Sequence, residues 1–361
     1  MKTPLLYKTA LILFLLPAII FASDISKGKY NKEKTIKKEY SVSSNALLKI
    51  SNSYGNLNIV TYTGNKIVFE INIKVSGNDE EKVQKKLNDI DVNFIANSNL
   101  VEAKTIFNKD KKSWWNWGGN NNINMEINYV VKLPITNSVD LNNDYGNINL
   151  DKLEGKATIN CDYGKITTKE LMAENNMLSF DYTNDCYFEY INSGKINADY
   201  SGFTVSKTKK LDINADYTSS TIEVAEDVNY NCDYGSINIK KLNNVNGNGD
   251  YLTTRLGEVY KNVTIKGDYG SLKINQMTAN AGNITIQSDY LGITIGYHSE
   301  YNFKFDISTE YSSMRNTDGF EITKKHTETS KNYYQGYYGN SNSSNLVKID
   351  SDYGNVTFNK N

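Results

Sequence analysis

From Ser138 to Asn361 apolar and polar residues alternate at period two, change phase across the glycine beside a recurrent tyrosine, and then resume the alternation. The stretch INCDYGKITTKEL, residues 159–171, is one copy of this pattern. Four residues before the tyrosine stand Leu141, Ile159, Leu178, Ile196, Ile213, Ile265, Ile286 or Ile307. Three and five residues after it come pairs such as Ile148 and Leu150, Ile237 and Ile239, or Ile293 and Ile295. Period two predicts strands, and a phase change beside glycine predicts a bulge or corner. The tyrosines are Tyr145, Tyr163, Tyr182, Tyr200, Tyr217, Tyr234, Tyr251, Tyr269, Tyr290, Tyr311 and Tyr353, with an earlier copy at Tyr54. Their spacing from Tyr145 to Tyr311 is 17 to 21 residues, and the last step is 42, as if one beat were masked by an insertion.

Self-similarity at this period predicts a solenoid, and the strand pattern makes it a single-stranded β-helix with rungs about 4.8 Å apart. The tyrosines are expected to form a column of stacked rings. Small residues two positions earlier (Cys161, Ala198, Ala215, Gly249, Ser288) would make room for them. The preceding aspartate would bond the backbone two residues on, as turn aspartates do.

The rest of the chain divides as follows. Residues 1–22, with Lys2, Lys8 and the apolar run ALILFLLPAIIFA, read as a signal peptide, too short for a stable transmembrane anchor. Residues 23–40 are lysine-rich and read as a flexible leader. Residues 41–136 read as a β-rich N-terminal cap with one helix near 79–90, capped by Asn78 with Glu81 completing a capping box. Residues 137–361 are the repeats. Two aromatic insertions interrupt the pattern: KDKKSWWNWGGNNN at 109–122 and a tyrosine-rich loop within 326–345. Trp114, Trp115, Trp117, Tyr333, Tyr334, Tyr337 and Tyr338 are therefore the candidate ligand contacts.

Forty basic against 41 acidic residues, a net charge of -1, points away from nucleic acid as a partner. Three cysteines, Cys161, Cys186 and Cys232, do not make a disulfide framework and read as apolar fillers. The two histidines, His298 and His326, stand beside no nucleophile motif. The chain has no HExxH, CxxC, P-loop or GxGxxG signature. No catalytic, cofactor-binding or metal-binding residue is assigned. The one constellation with chemistry in it is the aspartate column from Asp144 to Asp289, whose like charges repel by just under ~1 kcal/mol per neighbour in water.

The run SNSYGNLNIVTYTGNKIVFEINIKV followed by xADY and xCDYG coils resembles a family of bacterial envelope proteins grouped as adhesin-like. Their β-solenoid domain is related to the head-GIN type. The resemblance covers about Ser44 to Asn361 and implies an exported, non-enzymatic solenoid of the cell envelope; the motifs it rests on are architectural. The expected function is binding or scaffolding, with envelope polysaccharide or an envelope protein as partner. The alternatives are a polysaccharide-cleaving β-helix using ladder carboxylates, or a self-assembling structural protein. With no translocator, sorting motif or second domain read in the sequence, the expected location is the periplasm or the outer cell surface.

Overall fold

The computed structural model describes residues 28–107 and 123–361. The expected signal peptide and the tryptophan insertion lie outside the described residues. The protein is all-β, a β-solenoid with one helix, and its 27 described strands join in one hydrogen-bonded network. Each coil has two arms that meet at a tyrosine corner. Four middle coils run through both arms as one bent strand: Cys186–Asp199, Gly202–Asp216, Ser219–Asn231 and Gly235–Asn248. Neighbouring coils pair in parallel and in register, as in Ile196↔Ile213 and Ile222↔Ile239. The alternation seen in the sequence puts Ile196, Ile213, Ile222, Ile237 and Ile239 into the space between the arms, where they are buried.

The order of coils in space differs from their order in the chain at both ends. Leu47–Ser53, Tyr54 and Leu57–Tyr62 form a coil, paired in parallel to Ser138–Asp144 and Ile148–Leu150. On its outer side the same coil pairs in parallel with Leu100–Phe107 and Asn124–Pro134. At the other end Leu346–Asp352 slots between Ile284–Asp289 and Phe303–Glu310. The Tyr353 coil therefore lies between those of Tyr290 and Tyr311. The 42-residue step hides no beat: the chain builds the outermost coil first, turns back, and fills the gap.

Both ends are closed by antiparallel strands. Lys66–Gly77 pairs with Asn124–Pro134 and with Tyr30–Ser41. Residues 30–41 are thus a strand, where the sequence suggested a flexible leader. Their alternating lysines and glutamates, Lys32, Glu33, Lys34, Lys37, Lys38 and Glu39, are what an exposed sheet edge carries to discourage pairing with another chain. At the far end Lys331–Tyr338 pairs antiparallel with both Phe303–Glu310 and Phe320–Thr327, whose outer edge carries Lys324 and Lys325. Coil-on-coil self-assembly meets a charged edge at each of these places.

Helix α1, Glu80–Asp89, packs Val83 and Leu87 against the cap. Its N-cap is Asp79, whose carboxylate accepts from the Lys82 amide at 3.2 Å. Asn78, expected as the cap, instead accepts from the Lys29 amide with its side-chain oxygen. The extended backbone of Asp79 places its own side chain over the first turn.

Close approach of coils explains the glycine that follows many of the tyrosines. A Cβ on Gly235 would lie 2.3 Å from the Thr218 carbonyl oxygen of the preceding coil, whereas one on Gly292 would meet nothing within 4 Å. Gly235→Ala is expected to cost about 1–3 kcal/mol, the range of overpacking against rigid backbone. Gly292→Ala should be neutral or stabilising by up to about 1 kcal/mol. Urea midpoints of the two variants test the pair, and equal midpoints would contradict this reading of coil spacing.

Candidate functional site: a tyrosine ridge

All twelve corner tyrosines have left-handed backbone, with φ between 50° and 64°. Sequence reasoning placed the corner at the glycine, yet neither Gly164 nor Gly235 has positive φ. The tyrosine itself turns the chain. A non-glycine residue pays about 1–2 kcal/mol for this conformation, and bulky side chains are seldom found there.

Three interactions offset that cost, all three of them on the middle rungs from Asp181 to Asp268. The tyrosine amide donates to the carbonyl of the adjacent coil's aspartate or its equivalent, as in Tyr145 to Asp162 at 2.9 Å and Tyr217 to Asp233 at 3.0 Å. The rings stack: Tyr200 on Tyr217 at 4.8 Å and 1°, Tyr234 on Tyr251 at 4.8 Å and 4°. The stack runs without a gap from Tyr54 through Tyr145 to Tyr290, then Tyr353 and Tyr311. Each stacked pair contributes about 0.5–1.5 kcal/mol beyond its buried area.

The third interaction belongs to the aspartates. Asp199 Oδ1 accepts from the Asp216 amide at 3.1 Å, and Asp216 Oδ1 from the Asp233 amide at 3.1 Å. Asp233, Asp250 and Asp268 repeat the bond to the next coil at 2.8–2.9 Å. The sequence suggested a local bond two residues on; left-handed tyrosine instead aims the carboxylate along the solenoid axis. A hydrogen bond to a charged acceptor is worth about 1.5–3 kcal/mol, enough to outweigh the repulsion of just under ~1 kcal/mol per neighbour.

The tyrosine rings face water, each 46–61% exposed from Tyr145 onward. The small residues two positions earlier, such as Cys161, Ala198 and Ala215, point the opposite way and are buried. They fit the narrow core inside the corner rather than making room for rings. Cys161 and Cys232 are free thiols whose pKa burial pushes up to about 12.

The result is a ridge of eleven steps of 4.5–5.3 Å, about 50 Å long at β-sheet spacing. Ring faces are covered by neighbouring rings, so the ridge offers edges and hydroxyls. Among the described residues none of the twelve hydroxyls has a hydrogen-bond partner. The carboxylates from Asp144 to Asp289 flank it, and none of them is in an ion pair. Elsewhere the coils do neutralise one another, as in Lys152–Glu170 at 2.6 Å, Lys169–Asp151 at 2.7 Å and Lys240–Glu223 at 2.7 Å.

The residues singled out in the sequence fall elsewhere. Trp114, Trp115 and Trp117 lie outside the described residues; the segment carrying them follows Phe107, whose ring stands edge-on to Tyr54 at 6.4 Å. Lys331–Tyr338 is a strand where a loop was expected. Tyr334 and Tyr338 are buried on its inner face, with Tyr338 against Tyr297 at 5.1 Å and Phe303 at 5.7 Å. These two close the hydrophobic end of the core and are unavailable to a ligand. Tyr333 and Tyr337 lie on the other face, half-buried, and Tyr333 donates to Asp306 at 3.3 Å.

His326 is exposed beside Glu328 at 3.1 Å, and His298 Nδ1 accepts from the Glu300 amide. No group of three or more metal-ligating side chains gathers among the described residues, and no helix there is long and apolar enough to cross a membrane. A depression of about 590 Å³ beside α1 is open and lined by charged side chains, including Lys32, Glu80 and Lys85. The half-exposed ridge was legible as a repeat, but its outward aim was not, because alternation does not say which way a left-handed corner points.

No protein-family model matches the chain, and neither does any curated protein. Among solved structures, the chain is similar to a candidate adhesin from Parabacteroides merdae at 12% identity, covering 90% of this chain and 96% of that one, with a TM-score of 0.33. A candidate adhesin from Parabacteroides distasonis has 11% identity, coverage of 91% and 97%, and a TM-score of 0.31. A candidate cell adhesion protein from Clostridium sporogenes has 13% identity, coverage of 91% and 100%, and a TM-score of 0.18. Superpositions this loose carry no argument about fold or role, which rest on the chain's own geometry.

Two outcomes follow for the ridge. Tyr217→Phe keeps the ring and removes an unpartnered hydroxyl, so the urea midpoint should stay within about 0.5 kcal/mol of the parent. Tyr217→Ala removes two stacked contacts and should cost about 1–3 kcal/mol. Equal losses in both would mean that the hydroxyl has a structural partner.

Alkaline pH tests the stack differently. Shielding from water, then the neighbouring phenols and carboxylates, push the pKa of Tyr163, Tyr234 and Tyr269 up from the ordinary 10.0. A raised folded pKa favours folding below the unfolded value and loses that contribution as pH rises through the folded one. Stability should therefore fall above about pH 10, with phenolate absorbance in the native protein lagging behind that in urea. The Tyr163→Phe/Tyr234→Phe variant should show a shallower fall; an unchanged slope would assign it to lysines.

Proposed function

We propose that the protein is an exported, non-enzymatic binding or scaffolding protein of the cell envelope, adhesin-like, and that it holds envelope polysaccharide or an envelope protein. The observation that supports this is the tyrosine ridge. Eleven half-exposed phenols repeat at one spacing over the length of the solenoid, with hydroxyls that no group among the described residues uses. Corners of this kind are formed at least cost by glycine or asparagine. Stacking alone would be served equally by phenylalanine. A row of phenols left free at each rung is suited to holding something long.

The absence of turnover is part of the same reading. Ladder carboxylates on the ridge stand in water, and those of Asp181, Asp199, Asp216, Asp233, Asp250 and Asp268 each spend one oxygen on the next coil's amide. A general acid of a glycosidase works instead from a site that raises its pKa and places it opposite a second carboxylate. The segment with Trp114, Trp115 and Trp117, which follows Phe107 in the chain, is proposed as a second contact. Tyr333 and Tyr337 are retained in the proposal as accessible contacts at the other end, without Tyr334 and Tyr338. A location in the periplasm or on the outer surface fits this role.

The test incubates the protein with a panel of envelope polysaccharides and envelope proteins, reading retention and new sugar ends from the same samples. Retention without new ends is expected. Release of new sugar ends would overturn the non-enzymatic reading, and loss of retention in Trp114→Ala/Trp115→Ala/Trp117→Ala would place the tryptophans in the contact.

A further inference from the structure

We infer that the ridge takes a linear polysaccharide without acidic groups, laid lengthwise along the solenoid axis with one sugar per rung. This rests on the binding reading above and narrows it to one ligand class, one surface and one direction.

Spacing decides between the two kinds of chain that a 50 Å ridge of this sort fits. Its hydroxyl-bearing rings recur every 4.5–5.3 Å, from Tyr290–Tyr353 at the short end to Tyr54–Tyr145 and Tyr182–Tyr200 at the long end. An extended peptide presents equivalent side chains every two residues, about 6.6–6.8 Å, and falls out of step within two rungs. A pyranose ring in an extended, equatorially linked chain advances it by about the length of one rung; successive rings are turned half a revolution, but each carries hydroxyls along both edges, so every rung meets a sugar hydroxyl.

Chemistry decides the manner of contact. Sugars usually stack on exposed aromatic faces, but here the faces are occupied by neighbouring rings, as in Tyr217 between Tyr200 and Tyr234 at 4.8 and 4.9 Å. What remains is a phenol hydroxyl and a carboxylate on each rung. The phenol both donates and accepts, and the carboxylate accepts only. Since Oδ1 of Asp199, Asp216 and Asp233 is held by the next coil's amide, the carboxylate is fixed in direction before any ligand arrives. Fixed acceptors beside amphoteric hydroxyls match the hydroxyl groups of a sugar. Two residues after the tyrosines, Ser219, Ser236, Thr253 and Ser271 pair in register as a column of small side chains.

Charge decides which polysaccharide. Among the described residues no lysine or arginine pairs with the corner aspartates that precede the tyrosines, Asp144 to Asp289, so a polyanion would meet one unneutralised negative charge per rung. A uronate chain at the same pitch would bring like charges together at every step, whereas a neutral or amino-sugar chain would not.

The test uses soluble cello-, manno- and chito-oligosaccharides of three, six and twelve residues, polygalacturonate as the acidic chain, and an extended neutral peptide as control. The parent is expected to bind at least one of the neutral or amino-sugar series, at least tenfold more tightly for twelve residues than for three, with no binding of polygalacturonate or the peptide. Tyr200→Phe/Tyr217→Phe/Tyr234→Phe keeps rings and corners but removes three hydroxyls, and should weaken the twelve-residue ligand at least tenfold with an unchanged urea midpoint. Asp199→Asn/Asp216→Asn/Asp233→Asn keeps an oxygen for the amide bond and removes charge, and should admit polygalacturonate. Affinity independent of chain length, undiminished binding by the phenylalanine variant, or preference for polygalacturonate in the parent would each overturn the inference. Retention of envelope proteins with no glycan bound would overturn it while leaving the broader binding reading in place. Binding of neither would overturn both.

Discussion

Everything in this molecule hangs on a tyrosine held in left-handed backbone at each coil's corner. That conformation is costly for one residue and is sustained because twelve copies meet at the spacing of a parallel sheet. Sheet pairing brings coils to the distance at which phenol rings stack, and the stack in turn holds each corner to its neighbour. The carboxylate one residue earlier is swung onto the next coil's amide by the same turn. Strain, stacking and a charge-assisted hydrogen bond are thus parts of one repeating unit, and none of them is local to a coil.

The same coupling explains how the ends are built. A solenoid with parallel coils leaves open strand edges, and a stacked ring at the end has no partner. At the N-terminal end Phe107 stands edge-on to Tyr54, while Lys66–Gly77 and the charged strand Tyr30–Ser41 extend the sheet to a guarded edge. At the C-terminal end Tyr311 is outermost, and the chain folds back so that Tyr353 is enclosed on both sides. Burying the last coil inside the stack protects it from fraying, since release would require opening the cap.

Function follows from what the repeat leaves outside. The inner face is filled mainly by isoleucine, valine, leucine, phenylalanine and small residues, and the corner tyrosines take no part in it. They are placed outward with free hydroxyls, beside carboxylates whose direction is already set. A surface that is ordered before binding loses little entropy on binding, and repetition adds contacts along one line rather than at one point. Such a surface favours long ligands over small ones.

Much of this was readable from residues alone. The 17–21-residue period, the strand alternation, the all-β solenoid and the ring column follow from a local pattern repeated often enough to exclude chance, because in a solenoid each coil meets only its neighbours. Five features were not readable. The glycine was mistaken for the corner, since a tyrosine with positive φ looks in sequence like any other strand residue. The aspartate's partner lies 17 to 21 residues away, across a gap set by sheet spacing. Residues 30–41 look like a flexible leader until Lys66–Gly77 supplies a partner, and Tyr334 and Tyr338 look like loop residues until Phe303 and Tyr297 stand opposite. The threading of Tyr353 between Tyr290 and Tyr311 also belongs to the assembled fold. Local alternation specifies which residues share a face; which face meets water, and which coil meets which, is decided by pairing between segments far apart in the chain.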